Sequence, residues 1–302
     1  MLFRIECIIS VRASSTTWTV DDDGSADFRT IQEAINHANS GNTIFVHKGT
    51  YYGPIMVNKS VFLVGEDRDS TIVDGNRNGS VISITANNVT ICGFTIRHSG
   101  EEYYDSGIYV DHSSSNSISN NTITGNNGGI RLSFFGNNVV SRNTITNNSE
   151  GIIFIFSGNN VVSGNVVSSN SNGISLYYSG YNVVSGNTIT HNNYGMYALY
   201  SSNNTLYFNN FNNAYQVWSD SVNVWDDGDE GNYWSDYTGQ DLNGDGIGDN
   251  PYNIVVDNPD NHPLMGMFSD FNVTLERETY HVTTICNSTI SGFRFEIGPE
   301  TG

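Results

Sequence analysis

The amino-acid sequence predicts an all-β protein, a single-stranded parallel β-helix, and three observations carry that prediction. First, Gly107, Gly129, Gly151, Gly173 and Gly195 stand 22 residues apart without a slip. Asn116, Asn138, Asn160, Asn182 and Asn204 keep the same interval, as do Asn121, Asn143, Asn165, Asn187 and Asn209. A fixed period of this length is the signature of a stacked repeat. Second, apolar residues run in register with that period. Ile108, Ile130, Ile152, Ile174 and Met196 each lie two positions before Val110, Leu132, Phe154, Leu176 and Ala198, and further columns begin at Ile118 and Ile123. Spacing of two means strand rather than helix, so each line holds three short strands and forms one coil. Third, between Gly107 and Gln216 the only charged residues are Asp111, Arg131, Arg142 and Glu150. Coils stack ~4.8 Å apart, so a repeated charge would face its own copy, whereas Asn donates and accepts along the column and tolerates left-handed corners. A disordered Asn- and Ser-rich tract would have no reason to keep apolar columns in register.

The earlier residues continue the pattern less regularly. Ile44–Val46, Ile55–Val57, Val61–Val64, Val81–Ile84, Val89–Ile91 and Phe94–Ile96 read as strands of earlier coils, and HSGEEYYDS at 98–106 reads as a loop pushed out of one coil. Ahead of them, DFRTIQEAINHANSG places Ile31, Ala34, Ile35 and Ala38 on one face of a short helix, with Asp27 near its start and Gly41 past its end. Such a helix would cover the open edge of the first coil. The expected organisation is a degenerate signal peptide or disordered terminus at 1–17, an N-terminal cap at 18–42, the β-helix at 43–217, an acidic aromatic cap at 218–267 and a truncated β unit of two or three strands at 268–302. About nine coils follow from the repeat length.

Composition bounds the partners. Charged residues are 14% of the chain and the net charge is −19, which excludes a basic footprint for nucleic acid and disfavours anionic membrane surfaces. Cations and neutral ligands remain. No apolar run approaches membrane-span length. Cys7, Cys92 and Cys286 are odd in number and far apart, so no disulfide framework is inferred. Eight N-x-S/T sequons, at Asn58, Asn78, Asn88, Asn120, Asn147, Asn203, Asn272 and Asn287, fit an extracellular, cell-surface or periplasmic location.

Two segments carry a family resemblance. VDDDGSADFRTIQEAIN with NTIFVHKGTYYGPIMVNKSVFLVGEDRDSTIVDG resembles the opening of right-handed β-helix proteins of the pectin-lyase-like superfamily. NVWDDGDEGNYWSDYTGQDLNGDGIGDNPYNI with NPDNHPLM is similar to the closing segment of the NosD-type, periplasmic copper-binding β-helix family, including its archaeal surface relatives. The resemblance spans roughly residues 20–265, and the closing segment is its specific part. It implies an exported, right-handed helix of the carbohydrate-binding or sugar-hydrolysing type. The founding members assist copper-enzyme maturation.

Candidate sites follow from residue chemistry. In DLNGDGIGD, Asp241, Asn243, Asp245, the Ile247 carbonyl and Asp249 have the order of a calcium loop, with Gly246 at the turn, and would pin the cap. Trp218, Trp225, Tyr233, Trp234 and Tyr237 would close the last coil beside it. HPLMGM offers His262, Met265 and Met267 as copper donors, or as packing for the cap. Catalysis is poorly supplied: glycoside hydrolysis needs two facing carboxylates, and YVDHSS at 109–114 resembles a pectate-lyase motif without its acidic cluster. Asp105, Asp111 and His112 are the best catalytic candidates. Binding is better supplied. Strand alternation turns Tyr109, Arg131, Ile153, Ser175 and Tyr197 outward, with Asp111, Ser133, Ile155, Tyr177 and Leu199 in the next outward column. Tyr109, Tyr177 and Tyr197 suit sugar rings. His112, Phe134, Phe156, Tyr178 and Tyr200 have inward parity and are expected to pack the corner. The reading favoured is a non-catalytic exported module for a polysaccharide or surface protein. A polysaccharide lyase or glycoside hydrolase with an atypical site, and a copper-handling maturation factor, stay open.

Overall fold

The computed structural model describes residues 16–255, 258–269, 271–276 and 279–284. The chain winds into three parallel sheets. Sheet A has nine strands, from Thr17–Val20 to Thr205–Tyr207; sheet B has nine, from Gly49–Tyr52 to Tyr233–Trp234; sheet C has eight, from Ile55–Val57 to Tyr215–Ser219. Each strand pairs with the strand one coil away at the predicted step: Ile108 faces Ile130, Ile118 faces Val140 and Ile123 faces Ile145. The parallel β-helix is therefore the fold. A two-stranded antiparallel sheet, Phe271–Glu276 with Thr279–Thr284, forms the small C-terminal β extension. The segment read as a signal peptide lies almost wholly outside the described residues.

The interior is a continuous apolar column. Ile108, Val110, Ile118 and Ile123, with their copies in the following coils, are fully buried. The glycine column has a steric cause, because a Cβ on Gly129 would stand 2.4 Å from the Gly151 carbonyl oxygen. The capping helix runs from Ile31 to His37 and buries Ile31, Ala34 and Ile35. Its N-cap is Thr30, whose side chain accepts the Glu33 amide; Asp27 instead accepts from Thr19 in the first strand. Thr17–Val20, which the sequence placed in the cap, pairs with Thr43–Val46 as the first strand of sheet A. Cys92 is disulfide-bonded, which corrects the reading of the cysteines as unlinked; its partner lies outside the described residues.

Three asparagine ladders line the corners. Sequence periodicity shows two of them, and the structure adds Asn126, Asn148, Asn170, Asn192 and Asn213. In every step the Oδ1 of one Asn accepts both the backbone N–H and the Nδ2 of its copy in the preceding coil, as when Asn182 donates both to Asn204 at 3.0 Å. The ladders end on different acceptors, two in the cap and one in the last strand of sheet C. Asn223 passes to Asn258, Asn232 to Asp260, and Asn213 to Gln216. Trp234 stacks between Phe211 at 4.5 Å and Tyr252 at 4.4 Å, and the Trp225 and Trp234 indoles donate to Asn258 and Asp260. Trp218 does not close the coil; it lies on the outer face of sheet C, stacked 4.5 Å from Tyr197.

Asp260 is fully buried and accepts from the Asn232 and His262 amides and the Trp234 indole. Burial outweighs these donors and pushes its carboxyl up to about 6.

Two predictions arise here. Asn182→Asp places a carboxylate where an amide donates to Asn204, leaving a buried uncompensated charge. It should lower unfolding free energy by on the order of 3 kcal/mol in urea melts, with exposed Asn203→Asp nearly silent; equal effects would deny the ladder a stabilising role. For Asp260 the folded carboxyl holds its proton more tightly than the unfolded one, near 3.8. Its contribution is complete below that value and is lost as pH rises through about 6. The stability of the wild type relative to Asp260→Asn should therefore grow by up to ~3 kcal/mol as pH falls from 7 to 4, and a pH-independent difference would refute this.

Candidate functional site

The outer face of sheet C and the corner that follows it carry an exposed row of aromatic side chains, Phe134, Phe156, Tyr178, Tyr200, Tyr215 and Trp218. Strand alternation does place Tyr109, Arg131, Ile153, Ser175 and Tyr197 in one column, in register. The middle of that column is nevertheless covered, because Arg131, Ile153 and Ser175 are buried while Tyr109 and Tyr197 are half-buried. Part of the cover is the loop predicted at 98–106. Asn127 donates to the Glu101 and Glu102 carbonyls, and Arg131 Nη2 donates to the Tyr103 carbonyl at 2.7 Å. The Arg131 guanidinium lies 5.1 Å and 5.7 Å from the Tyr103 and Tyr104 ring centroids. It forms no ion pair with an acid among the described residues, and its Nη1 has no hydrogen-bond partner.

The sharpest departure from the sequence reading is the column His112, Phe134, Phe156, Tyr178 and Tyr200. These residues do not pack inward. They have φ between 46° and 71°, so the alternation that defines inward and outward breaks at each of them. The first four keep their amides on the carbonyls of the next coil, as Phe156 does with that of Tyr177, and the Tyr200 amide donates to Asp220 Oδ1, while the side chains swing out to solvent. Phe134, Phe156, Tyr178 and Tyr200 are between 45% and 61% exposed. They stack along the helix axis at centroid distances of 4.3 Å from His112 to Phe134, then 6.1, 5.0 and 5.1 Å. The left-handed backbone costs roughly 1–2 kcal/mol per residue, so this ridge is held against strain. Beside it, Tyr197 stacks on Trp218, and Tyr194 stacks on Tyr215 at 5.0 Å.

Of the catalytic candidates, the structure joins Asp111 and His112 and leaves Asp105 apart. Asp111 Oδ1 lies 2.7 Å from His112 Nδ1 and accepts the Tyr109 hydroxyl at 3.1 Å. Burial, then the Asp111 charge, raises the Tyr109 phenol. Asp105 instead closes its loop by accepting the Glu102 amide. Tyr177 donates to Glu150 at 3.3 Å, and burial with that carboxylate pushes its phenol up to about 12.

Sequence reasoning also passed over His98. Its Nδ1 lies 3.0 Å from Asp74 Oδ2, which also accepts Arg97 Nε at 2.9 Å. Burial alone would raise the Asp74 carboxyl, but the Asn76 amide, Arg97 and His98 hold it below its usual range. His98 lines a polar cleft of about 390 Å³ with Arg77, Glu101, Asn126 and Asn127. No signal in the sequence spacing pairs residues 74 and 98; only the coil stacking does.

The acidic cap shows how its carboxylates are used. Asp241 accepts the Gly244, Asp245 and Gly246 amides, Asn243 accepts the Asp245 amide, Asp245 that of Ile247 and Asp249 that of Leu242. The loop is wound by its own hydrogen bonds, and among the described residues no three His, Cys, Asp or Glu side chains gather at metal-binding distance. His262 Nδ1 lies 3.3 Å from Asp226 Oδ2. Met265 is partly exposed, and its amide is spent on the Gly246 carbonyl.

Comparison with known proteins places this geometry. Over 102 residues, a third of this chain, it is 39% identical to a cell surface glycoprotein of Methanothermus fervidus, and the match spans only 16% of that relative's length. Three solved structures share the fold. Pectin methylesterase PemA from Erwinia chrysanthemi has 13% identity and a TM-score of 0.50 over 72% of this chain and 91% of its own. The A-module of mannuronan C-5 epimerase AlgE4 from Azotobacter vinelandii has 15% identity and a TM-score of 0.50 over 65% and 71%. XylC in complex with xylose has 10% identity and a TM-score of 0.56 over 72% and 65%. At these identities they establish a shared right-handed β-helix and nothing about activity. The family described as periplasmic copper-binding protein (NosD) matches residues 35–239. With that match covering more than half of the chain, and with the β-helix that the matched residues form, the protein belongs to the NosD family.

Proposed function

We propose that this protein is an external β-helix module that binds glycan on the outer face of sheet C and its aromatic ridge. One observation carries the reading: a row of aromatic side chains is held outward, at the cost of left-handed backbone, on the least charged part of the molecule. Contiguous exposed aromatic surface of this kind marks an interaction site. The rings of the ridge stack on one another, so they offer edges and the hydroxyls of Tyr178 and Tyr200 rather than open faces. A sugar would set its hydroxyl oxygens against those edges and the tyrosine hydroxyls, with Tyr197 and Trp218 beside it and His112 and the Tyr109–Asp111 pair offering hydrogen bonds. The family and the surface relative support a location outside the cytoplasm. The copper reading has less support, because among the described residues no three His, Cys, Asp or Glu side chains gather at metal-binding distance around His262.

The test is affinity electrophoresis against neutral and acidic polysaccharides, with new reducing ends measured in parallel. Retardation by at least one polysaccharide is expected, weakened about tenfold (~1.4 kcal/mol) in Phe156→Ser and Tyr200→Ser, without reducing ends. No retardation by any polysaccharide would overturn the reading, and release of reducing ends would replace it with catalysis at Asp111 and His112.

A second proposal, calcium in the 241–249 loop, is supported by its acid–Asn–acid spacing. EDTA should lower the melting temperature and calcium should restore it. An unchanged melt would leave the loop to its internal hydrogen bonds.

A further inference from the structure

We propose that Asn58, Asn78, Asn88, Asn147 and Asn203 are N-glycosylation sites, and that the sugars on Asn88 and Asn203 flank the aromatic ridge without interrupting it. The inference rests on the external location proposed above. It does not depend on what the ridge binds.

The fold sorts chemically identical asparagines into two populations. Ladder asparagines are buried and spend their Nδ2 hydrogens inside the stack; Asn148, for instance, donates to Asn170 and to the Ile123 and Thr146 carbonyls. Its neighbour Asn147 is exposed, has φ 56° and makes no side-chain hydrogen bond. Asn58, Asn78 and Asn88 are likewise exposed and unbonded at the side chain, and Asn203 makes only a local contact with Ser202. All five begin an Asn-x-Ser/Thr triplet, completed by Ser60, Ser80, Thr90, Ser149 and Thr205. This triplet is the acceptor for N-linked sugar. Asn120 also begins one but is half-buried and is not included.

Placement is the second observation. None of the five lies within a strand: each sits in a turn between sheets. Asn88 lies one coil before His112, with its amide bonded to the Ser114 carbonyl, and Asn203 follows Tyr200 at the far end of the ridge. No triplet begins at the corner positions between them that carry Phe134, Phe156 and Tyr178. Sugars on Asn88 and Asn203 would bracket the ridge while leaving its rings open.

The transfer balances without redox chemistry. The donor is an oligosaccharide held on a lipid phosphate. The Asn Nδ2 bonds to the anomeric carbon, the bond from that carbon to the phosphate oxygen breaks, the phosphate leaves with the electron pair, and one amide proton is released.

The test is peptide mapping by mass spectrometry on the full chain purified from the outer fraction of its native cells. Peptides containing Asn58, Asn78, Asn88, Asn147 and Asn203 should carry hexose or hexosamine masses, and ladder peptides without a triplet should be bare. Ser149→Ala, which leaves Asn147 in place, should remove sugar from that peptide alone without moving the melting temperature. External protein with all five asparagines bare would overturn the glycosylation and leave the location standing. Protein confined to the cell interior would overturn the location and this inference together.

Discussion

Each coil of this protein rests one strand spacing from the next, and a buried polar group must therefore bond to its own copy. Asparagine meets that demand because one end of its amide accepts while the other donates. The ladders acquire a direction: every Oδ1 accepts from the coil before and every Nδ2 donates to the coil after. The two ends of such a ladder are chemically unlike. At the start the Val89, Phe94 and Ser99 amides supply the protons that Asn116, Asn121 and Asn126 accept. At the finish acceptors are required, and the chain supplies Asn258, Asp260 and Gln216. Two ladders meet that need with side-chain amides and one with the buried Asp260, whose cost in desolvation is what makes the cap sensitive to pH.

The same stacking shapes the outer face of sheet C. A residue in left-handed conformation keeps its amide in the axial hydrogen bonds while its side chain leaves the barrel, and repetition of that conformation in every coil turns one aromatic residue into a ridge. Because the rings fall one coil apart, they stack on each other and spend their faces internally. What remains for a partner is a strip of edges and hydroxyls, with the Tyr197–Trp218 pair beside it. Such a strip favours extended ligands that can follow the axis over one that needs a deep pocket. The covered Arg131 under the 98–106 loop shows that the face is not uniform: the inserted loop brings a cation under tyrosines, next to a face that is otherwise nearly free of charge.

Charge is distributed by the same logic. Acidic residues gather in the N-terminal turn, the inserted loop and the cap, where no copy lies directly above, and the repeating coils stay neutral. Loop carboxylates such as Asp241 are satisfied by backbone amides of their own turn. Pairs such as Asp74 with His98 arise between coils. A strongly acidic chain can therefore present a nearly neutral outer face along its repeating coils.

Sequence alone determined the repeat, the three strands per coil, the apolar core, two of the three ladders, the capping helix and the protruding loop. These follow from period and alternation, which are local properties that a stack merely repeats. It also marked Tyr109, Tyr177, Tyr197 and Asp111 as residues of one outward face. Only the tertiary structure decided that His112, Phe134, Phe156, Tyr178 and Tyr200 point to solvent, since parity counting assumes extended backbone and each of these residues has positive φ. Only it decided that Arg131 is covered, that Asp105 serves its loop, that Trp218 lies outside, and that Asp74 meets His98. Those outcomes depend on which coil lies beside which and on where the chain turns, and neither is encoded in the spacing of any single line.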